Sequence, residues 1–94
     1  MIVLNVTYKC KPGMRDGFLE KINAEGIGEA CRAADGCEKY DYYFPADGSE
    51  ELLLVEKWRD ADAITKHAAQ PHFKRLGELK NSFVNDTIIE KFEK

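Results

Sequence analysis

The strongest constraint in this chain is the segment Leu52-Leu53-Leu54-Val55-Glu56-Lys57-Trp58. Read as a strand, its two phases are Leu52, Leu54, Glu56 and Trp58 on one side and Leu53, Val55 and Lys57 on the other, and both begin apolar. A strand that is apolar on both sides belongs in the middle of a sheet, with cover on both faces. Such cover is scarce in 94 residues, because a single domain of this size buries only ~60 to 65% of the surface its unfolded chain exposes.

The rest of the pattern resolves around that strand. Ile2, Leu4, Val6, Tyr8 and Cys10 alternate with Asn5, Thr7 and Lys9, which predicts a half-buried strand ended by Lys11-Pro12-Gly13. From Met14 onward Phe18, Leu19, Ile22, Ile27, Ala30, Cys31 and Ala34 recur at helical spacing. Gly26 and Gly28 each cost such a helix about 1 kcal/mol relative to Ala, so a bend, a break or a close backbone approach is expected there. Asp35-Gly36 is a turn, and Cys37 to Phe44 is an aromatic-rich strand with Tyr40, Tyr42 and Phe44 on one side. Turn chemistry at 45–49 joins it to Leu52–Trp58 as an antiparallel hairpin. Asp60 reads as an N-cap ahead of Ala63, Ile64 and His67; Pro71 can open a further helical stretch with Phe73, Leu76 and Leu79. Phe83 to Phe92 reads as a last strand of imperfect alternation.

The order is β-α-β-β-α-β: an α+β, ferredoxin-like domain over residues 1–94, with a four-stranded antiparallel sheet carrying its helices on one face. The other face stays open, and the simplest cure for an apolar sheet face on so short a chain is the same face of a second copy. A homodimer is expected. The net charge of −3 with no basic cluster argues against nucleic acid or an anionic membrane as partner. No window approaches the ~18 to 20 apolar residues of a membrane span, and Met1-Ile2-Val3-Leu4-Asn5 lacks the basic and apolar regions of a secretory signal, so a cytoplasmic location is expected. Cys10, Cys31 and Cys37 are odd in number and share no C-x-x-C spacing, which argues against a disulfide framework or a zinc ribbon and for reduced, mostly buried thiols.

Four pieces of the sequence stand in register with this element order: Gly36-Cys37 followed by Tyr40, Glu56-x-Trp58, Ala63-x-x-x-His67, and Pro71-His72-Phe73. Together they resemble the antibiotic biosynthesis monooxygenase family, quinol monooxygenase-like proteins of the dimeric α+β barrel superfamily. The resemblance implies a dimeric barrel with a pocket between each sheet and its helices. In some members it also implies oxidation of quinol-like aromatics by O₂ without metal or flavin. Haem-degrading relatives use a histidine to bind iron, with a tryptophan and an asparagine. This chain has His67 where the resemblance would place that tryptophan and Gly77 where it would place the haem ligand, which disfavours haem. No cofactor is expected.

The chemistry can be set out without the family. Triplet O₂ reacts poorly with closed-shell organic molecules, so an oxygenase without a cofactor must turn its substrate into an electron-rich anion inside a pocket that excludes water. That requires a base and an aromatic box. His67 is the candidate base, since its spacing from Ala63 and Ile64 turns it toward the sheet; the alternative is a capping or packing histidine. Asn5 is a candidate donor to a developing oxyanion if it faces the pocket, and means nothing on a solvent face. Glu56 shares the phase of Leu52, Leu54 and Trp58, so its carboxylate must be paired, hydrogen-bonded or neutralised; it would orient His67 or a substrate hydroxyl, or serve a structural hydrogen bond. Tyr40, Tyr42, Trp58, His72 and Phe73 are candidate substrate contacts, each with a core or surface role as the alternative. His67 and His72 lack the carboxylate or cysteine company of a metal site, so no metal is expected. Two other functions fit the scaffold. The resemblance extends to an isomerase of a phosphorylated signalling sugar, weakened here because only Lys66, Lys74 and Arg75 lie near the expected pocket mouth; the other is a small-molecule-binding dimer without catalysis.

Overall fold

Strand alternation decides which side chains meet. The computed structural model describes residues 1–94. It runs β1 (Ile2–Cys10), α1 (Arg15–Ala24), α2 (Ile27–Arg32), β2 (Cys37–Tyr43), β3 (Glu51–Trp58), α3 (Ala61–Ala68), α4 (Pro71–Phe83) and β4 (Val84–Glu93). The four strands form one antiparallel sheet in the order β2-β3-β1-β4, so β3 is central as its composition requires. Register then divides the side chains between the two faces. Leu4, Val6 and Tyr8 of β1, Leu52, Leu54, Glu56 and Trp58 of β3, Tyr40 and Tyr42 of β2 and Thr87 and Ile89 of β4 share the face that the helices cover. Val3, Asn5, Thr7, Leu53, Val55, Ile88 and Phe92 share the other.

The covered face holds the core. Phe18 and Ile22 of α1, Ile27 and Cys31 of α2, Ala63 of α3 and Leu76 and Leu79 of α4 pack on Val6, Tyr8, Leu52, Leu54 and Trp58, with Tyr8 and Phe18 edge to face at 5.4 Å. Phe18 and Trp58 are wholly buried, and truncating an aromatic side chain in such a place costs about 3–5 kcal/mol. The single helix expected from Met14 to Ala34 is two, because Gly26 sits at φ +67°, a conformation that ends α1 and starts α2. Gly36 has the second indispensable glycine conformation. Its φ is +83°, and a Cβ there would lie 2.5 Å from that of Ala63, so the turn into β2 is pressed directly against the first turn of α3. The Asp60 side chain caps α3 by accepting from the Ala63 N–H at 2.9 Å.

Two expectations need adjustment at strand ends. Phe44 lies outside β2 and does not share the side of Tyr40 and Tyr42; it is exposed, with the Arg15 guanidinium 4.3 Å from its ring centre. Phe83 closes α4 rather than opening β4, and stacks on Phe18 at 5.8 Å. The imperfect alternation of the last strand has a local cause: Lys9 pairs with Asp86 but Cys10 with Val84, so β4 carries one extra residue at that point. No helix is long and apolar enough to cross a membrane.

Candidate active site

Between the sheet and α3–α4 the packing leaves a cavity of about 260 Å³. β1 supplies Leu4, Val6 and Tyr8 to its floor; Tyr40 and Glu56 lie beside them; Ile64, His67 and Ala68 of α3 and Phe73, Leu76, Gly77 and Lys80 of α4 close it from above, with Thr87 and Ile89 at the β4 side. Most of the lining is apolar or aromatic, and the polar atoms are few. His67 and Glu56, the buried imidazole and the buried carboxyl of this region, both reach this wall.

His67 occupies the last turn of α3 and is 4% exposed. Its ring lies against Trp58 at 4.7 Å, edge-on to Phe73 at 5.5 Å and to Tyr40 at 6.1 Å, so three aromatic faces fix its orientation. Nε2 is 3.3 Å from the Cys31 sulfur, and the two share one hydrogen whose side depends on the imidazole tautomer. Burial, reinforced by neighbouring His72, lowers the His67 pKa to about 4, so the ring is neutral at physiological pH, with one nitrogen lone pair unprotonated. Burial pushes the Cys31 thiol up to about 11 and raises the phenols of Tyr8, Tyr40 and Tyr42, which leaves the thiol and the hydroxyls protonated.

Glu56 has a definite partner. The Trp58 indole N–H donates to its Oε1 at 2.8 Å, both on the covered face two residues apart along β3. Burial raises the Glu56 pKa while that N–H pulls it down. The carboxyl therefore satisfies the buried indole rather than His67, and Trp58 stands behind His67 as core, not as a wall of the cavity. Tyr42 is packed at 5.9 Å behind Tyr40 with its buried hydroxyl unpartnered. His72 opens onto a second cavity with Ala30, Ala34, Asp35, Lys66 and Gln70, and only His67 lines both.

The sequence model of the antibiotic biosynthesis monooxygenase family matches residues 1–79. The chain belongs to this family. A Bacillus subtilis protein named as a putative monooxygenase is 33% identical over 78% of this chain and 75% of its own length. A Mycobacterium tuberculosis protein with the same description is 40% identical over 62% of this chain and 60% of its own length, so the matched part is less than two thirds of that relative. A crystal structure of a Pseudomonas aeruginosa protein superposes with a TM-score of 0.88 at 24% identity, over 99% of this chain and 92% of that one, which carries the likeness of fold.

Within this member of the family, the side chains singled out from sequence separate into groups. His67, Tyr40, Glu56 and Phe73 meet at one cavity; Trp58 and Tyr42 support it from behind; His72 lies next door. Asn5 is not brought there. It alternates with Leu4 and Val6, whose side chains form the cavity floor, and so projects from the opposite sheet face, paired with Val55 and Glu90. The expectation that the histidines lack cysteine company is also corrected, because Cys31, His67 and His72 each bring a possible ligand atom within 4.8 Å of the others. Cys31 stands 36 residues before His67, so no local spacing announces the contact. Lys80, unflagged in the sequence, is the cation at the cavity, whereas Arg75 is taken up by Glu25 at 2.6 and 2.9 Å.

The histidine gives a direct prediction. The folded pKa of His67 lies below the ~6.5 of a free imidazole. As pH falls from about 6.5 toward 4, the unfolded chain binds a proton that the folded chain resists, so the folded state loses stability across that window. An NMR titration of the His67 ring is expected to show a midpoint near pH 4, and a His67→Gln variant a flatter stability profile between pH 6.5 and 4. A midpoint near 6.5 contradicts the buried, neutral histidine.

Proposed function

We propose that this protein is a cofactor-independent monooxygenase that oxidises a small phenolic or quinol-like substrate with O₂, with His67 as the base. The observation that carries the reading is a neutral, buried imidazole held by aromatic rings at the wall of a largely apolar cavity. At about 260 Å³, the cavity falls just below the ~300 to 1,000 Å³ of drug-sized sites, which suits a compact aromatic molecule.

The reaction balances without an added reductant. A hydroquinone plus O₂ gives a hydroxyquinone plus water: one oxygen atom enters the ring, the other leaves as water, and the substrate supplies all four electrons. His67 takes the phenolic proton; the phenolate gives one electron to O₂; superoxide and the aromatic radical combine at carbon, and O–O cleavage releases water. The first step is the demanding one. A phenol near pKa ~10 facing an imidazole at about 4 leaves a gap of about six units, roughly 8 kcal/mol. Two features reduce it. The phenolate and the imidazolium form together as an ion pair inside a low-dielectric cavity, which raises the histidine's basicity, and the Lys80 ammonium adds a second positive charge for the anion. Acidic quinols should accordingly outrun ordinary phenols. In this reading Tyr40, which lines the cavity and keeps its hydroxyl proton, would contact a substrate oxygen, and the partly exposed Phe73 would form a wall at the mouth.

The working unit in this proposal is a homodimer closed through the open sheet face. On that face Val3, Leu53, Val55, Ile88 and Phe92 surround Asn5 and Thr7 of the inner strand β1, with Lys9, Lys57, Asp86 and Glu90 beside them. Apolar side chains interleaved with charges of both signs suit a self-complementary contact.

Oxygen uptake by the chelator-treated protein against a panel of quinols and phenols tests the activity. Turnover is expected with quinols and should fall by about 100-fold or more in His67→Gln. No uptake with any quinol, or uptake unchanged in the variant, overturns the reading. For the dimer, light scattering on a size-exclusion peak at micromolar concentration should give twice the chain mass, and Val55→Asp should shift it toward the monomer. A wild type that runs as a clean monomer contradicts it.

A further inference from the structure

We propose that Cys31, His67 and His72 form a binding site for a thiophilic divalent cation of the zinc class, held by one thiolate and two imidazoles from three different helices. This goes beyond the oxygenase reading, which uses no metal. Cys31 comes from the last turn of α2, His67 from the last turn of α3 and His72 from the first turn of α4. One ligand atom from each lies within 4.8 Å of the other two, and the His67 Nε2 to Cys31 Sγ distance is 3.3 Å. With zinc–sulfur bonds of about 2.3 Å and zinc–nitrogen bonds of about 2.0–2.1 Å at tetrahedral angles, the ligands of one ion stand roughly 3.3–3.6 Å apart. The closest pair is already at that spacing, and the third ligand needs only a small approach.

The donor chemistry agrees with the geometry. One soft sulfur with two imidazole nitrogens selects zinc-like ions over magnesium or calcium, which take oxygen. His72 supplies the independent observation. Its Nε2 is buried and has no hydrogen-bond partner, a condition that costs about 1–3 kcal/mol and that a bound cation would relieve. A satisfied Cys31–His67 pair alone would need no third nitrogen beside it, yet the His72 ring lies 5.0 Å from that of His67. There is also an entry path and a fourth position. The cavity on the His72 side, about 360 Å³ and lined by both histidines, Asp35, Lys66 and Gln70, opens to solvent. Asp35 at this cavity is ion-paired with Arg59 at 3.4 Å, and a water from the same cavity would take the remaining coordination position. On binding, the Cys31 thiol gives up its proton to the buffer. The ion would then occupy His67 Nε2, placing a metal site and the proposed base on the same ring.

Cobalt(II) is the probe, because a thiolate ligand adds a near-ultraviolet charge-transfer band and tetrahedral geometry gives intense visible bands. The chelator-treated full chain, titrated with cobalt, is expected to take up one equivalent with both signatures, and zinc should displace it. Cys31→Ser should abolish the charge-transfer band. His72→Gln, at a half-buried position where folding is not at stake, should keep that band and lose affinity by at least the ~10- to 100-fold that removing a mere outer-shell partner costs. Cys37→Ser should leave both signatures unchanged. Cobalt bound without a thiolate band, a band that survives Cys31→Ser, or equal affinity in His72→Gln overturns the site. The readout is spectroscopic and metal-dependent, so it stands apart from the oxygen-uptake test made without metal.

Discussion

Everything at this site depends on one sheet face being covered by helices that do not quite fill it. β1 and β3, the two central strands, send Leu4, Val6, Tyr8, Leu52, Leu54, Glu56 and Trp58 to the same side. α1 and α2 pack tightly there through Phe18, Ile22, Ile27 and Cys31, whereas α3 and α4, joined by a short turn, leave a cavity against β1. The alternation that builds the core thus also chooses which residues line the pocket. It admits Tyr40 and Glu56 and turns Asn5 away.

Polar groups on that face are tolerated because each is answered locally. Glu56 accepts from Trp58, and His67 shares a hydrogen with Cys31 while staying neutral. A neutral imidazole is what both proposed roles require, since a protonated ring can neither take a proton nor bind a cation. The two roles exclude each other in time at Nε2, the atom beside Cys31. A metal on that nitrogen would use the neutral ring's one lone pair and leave Nδ1 carrying the proton, so the ring could not act as the base while the ion is bound.

Much of this fold was legible from the chain because its signals are periodic. The phases of Ile2–Cys10 and Leu52–Trp58, the Asp60 cap, Pro71 at a helix start and the Gly26 break all rest on local chemistry that survives in the structure. The family signature likewise lay in short pieces at the right places. The candidate site was legible only where it coincided with those patterns, as for His67, Tyr40, Glu56 and Phe73. Asn5 misled because strand phase was set aside in favour of residue type. Cys31 and Lys80 escaped notice because their importance lies in contacts far along the chain: Cys31 reads as one more apolar residue four positions after Ile27, and Lys80 as one more charge on an exposed helix. The bulge between β1 and β4 left no signal stronger than a blurred alternation.

In the proposed reaction the helix-covered cavity, and not the open sheet face, receives the aromatic substrate. The most direct test is NMR of the labelled protein titrated with a phenol whose ring positions are blocked against oxidation. Shifts confined to Tyr40, Ile64, His67, Leu76 and Ile89 are the predicted result. Shifts centred on Val3, Leu53, Val55 and Phe92, or none up to millimolar ligand, would contradict it.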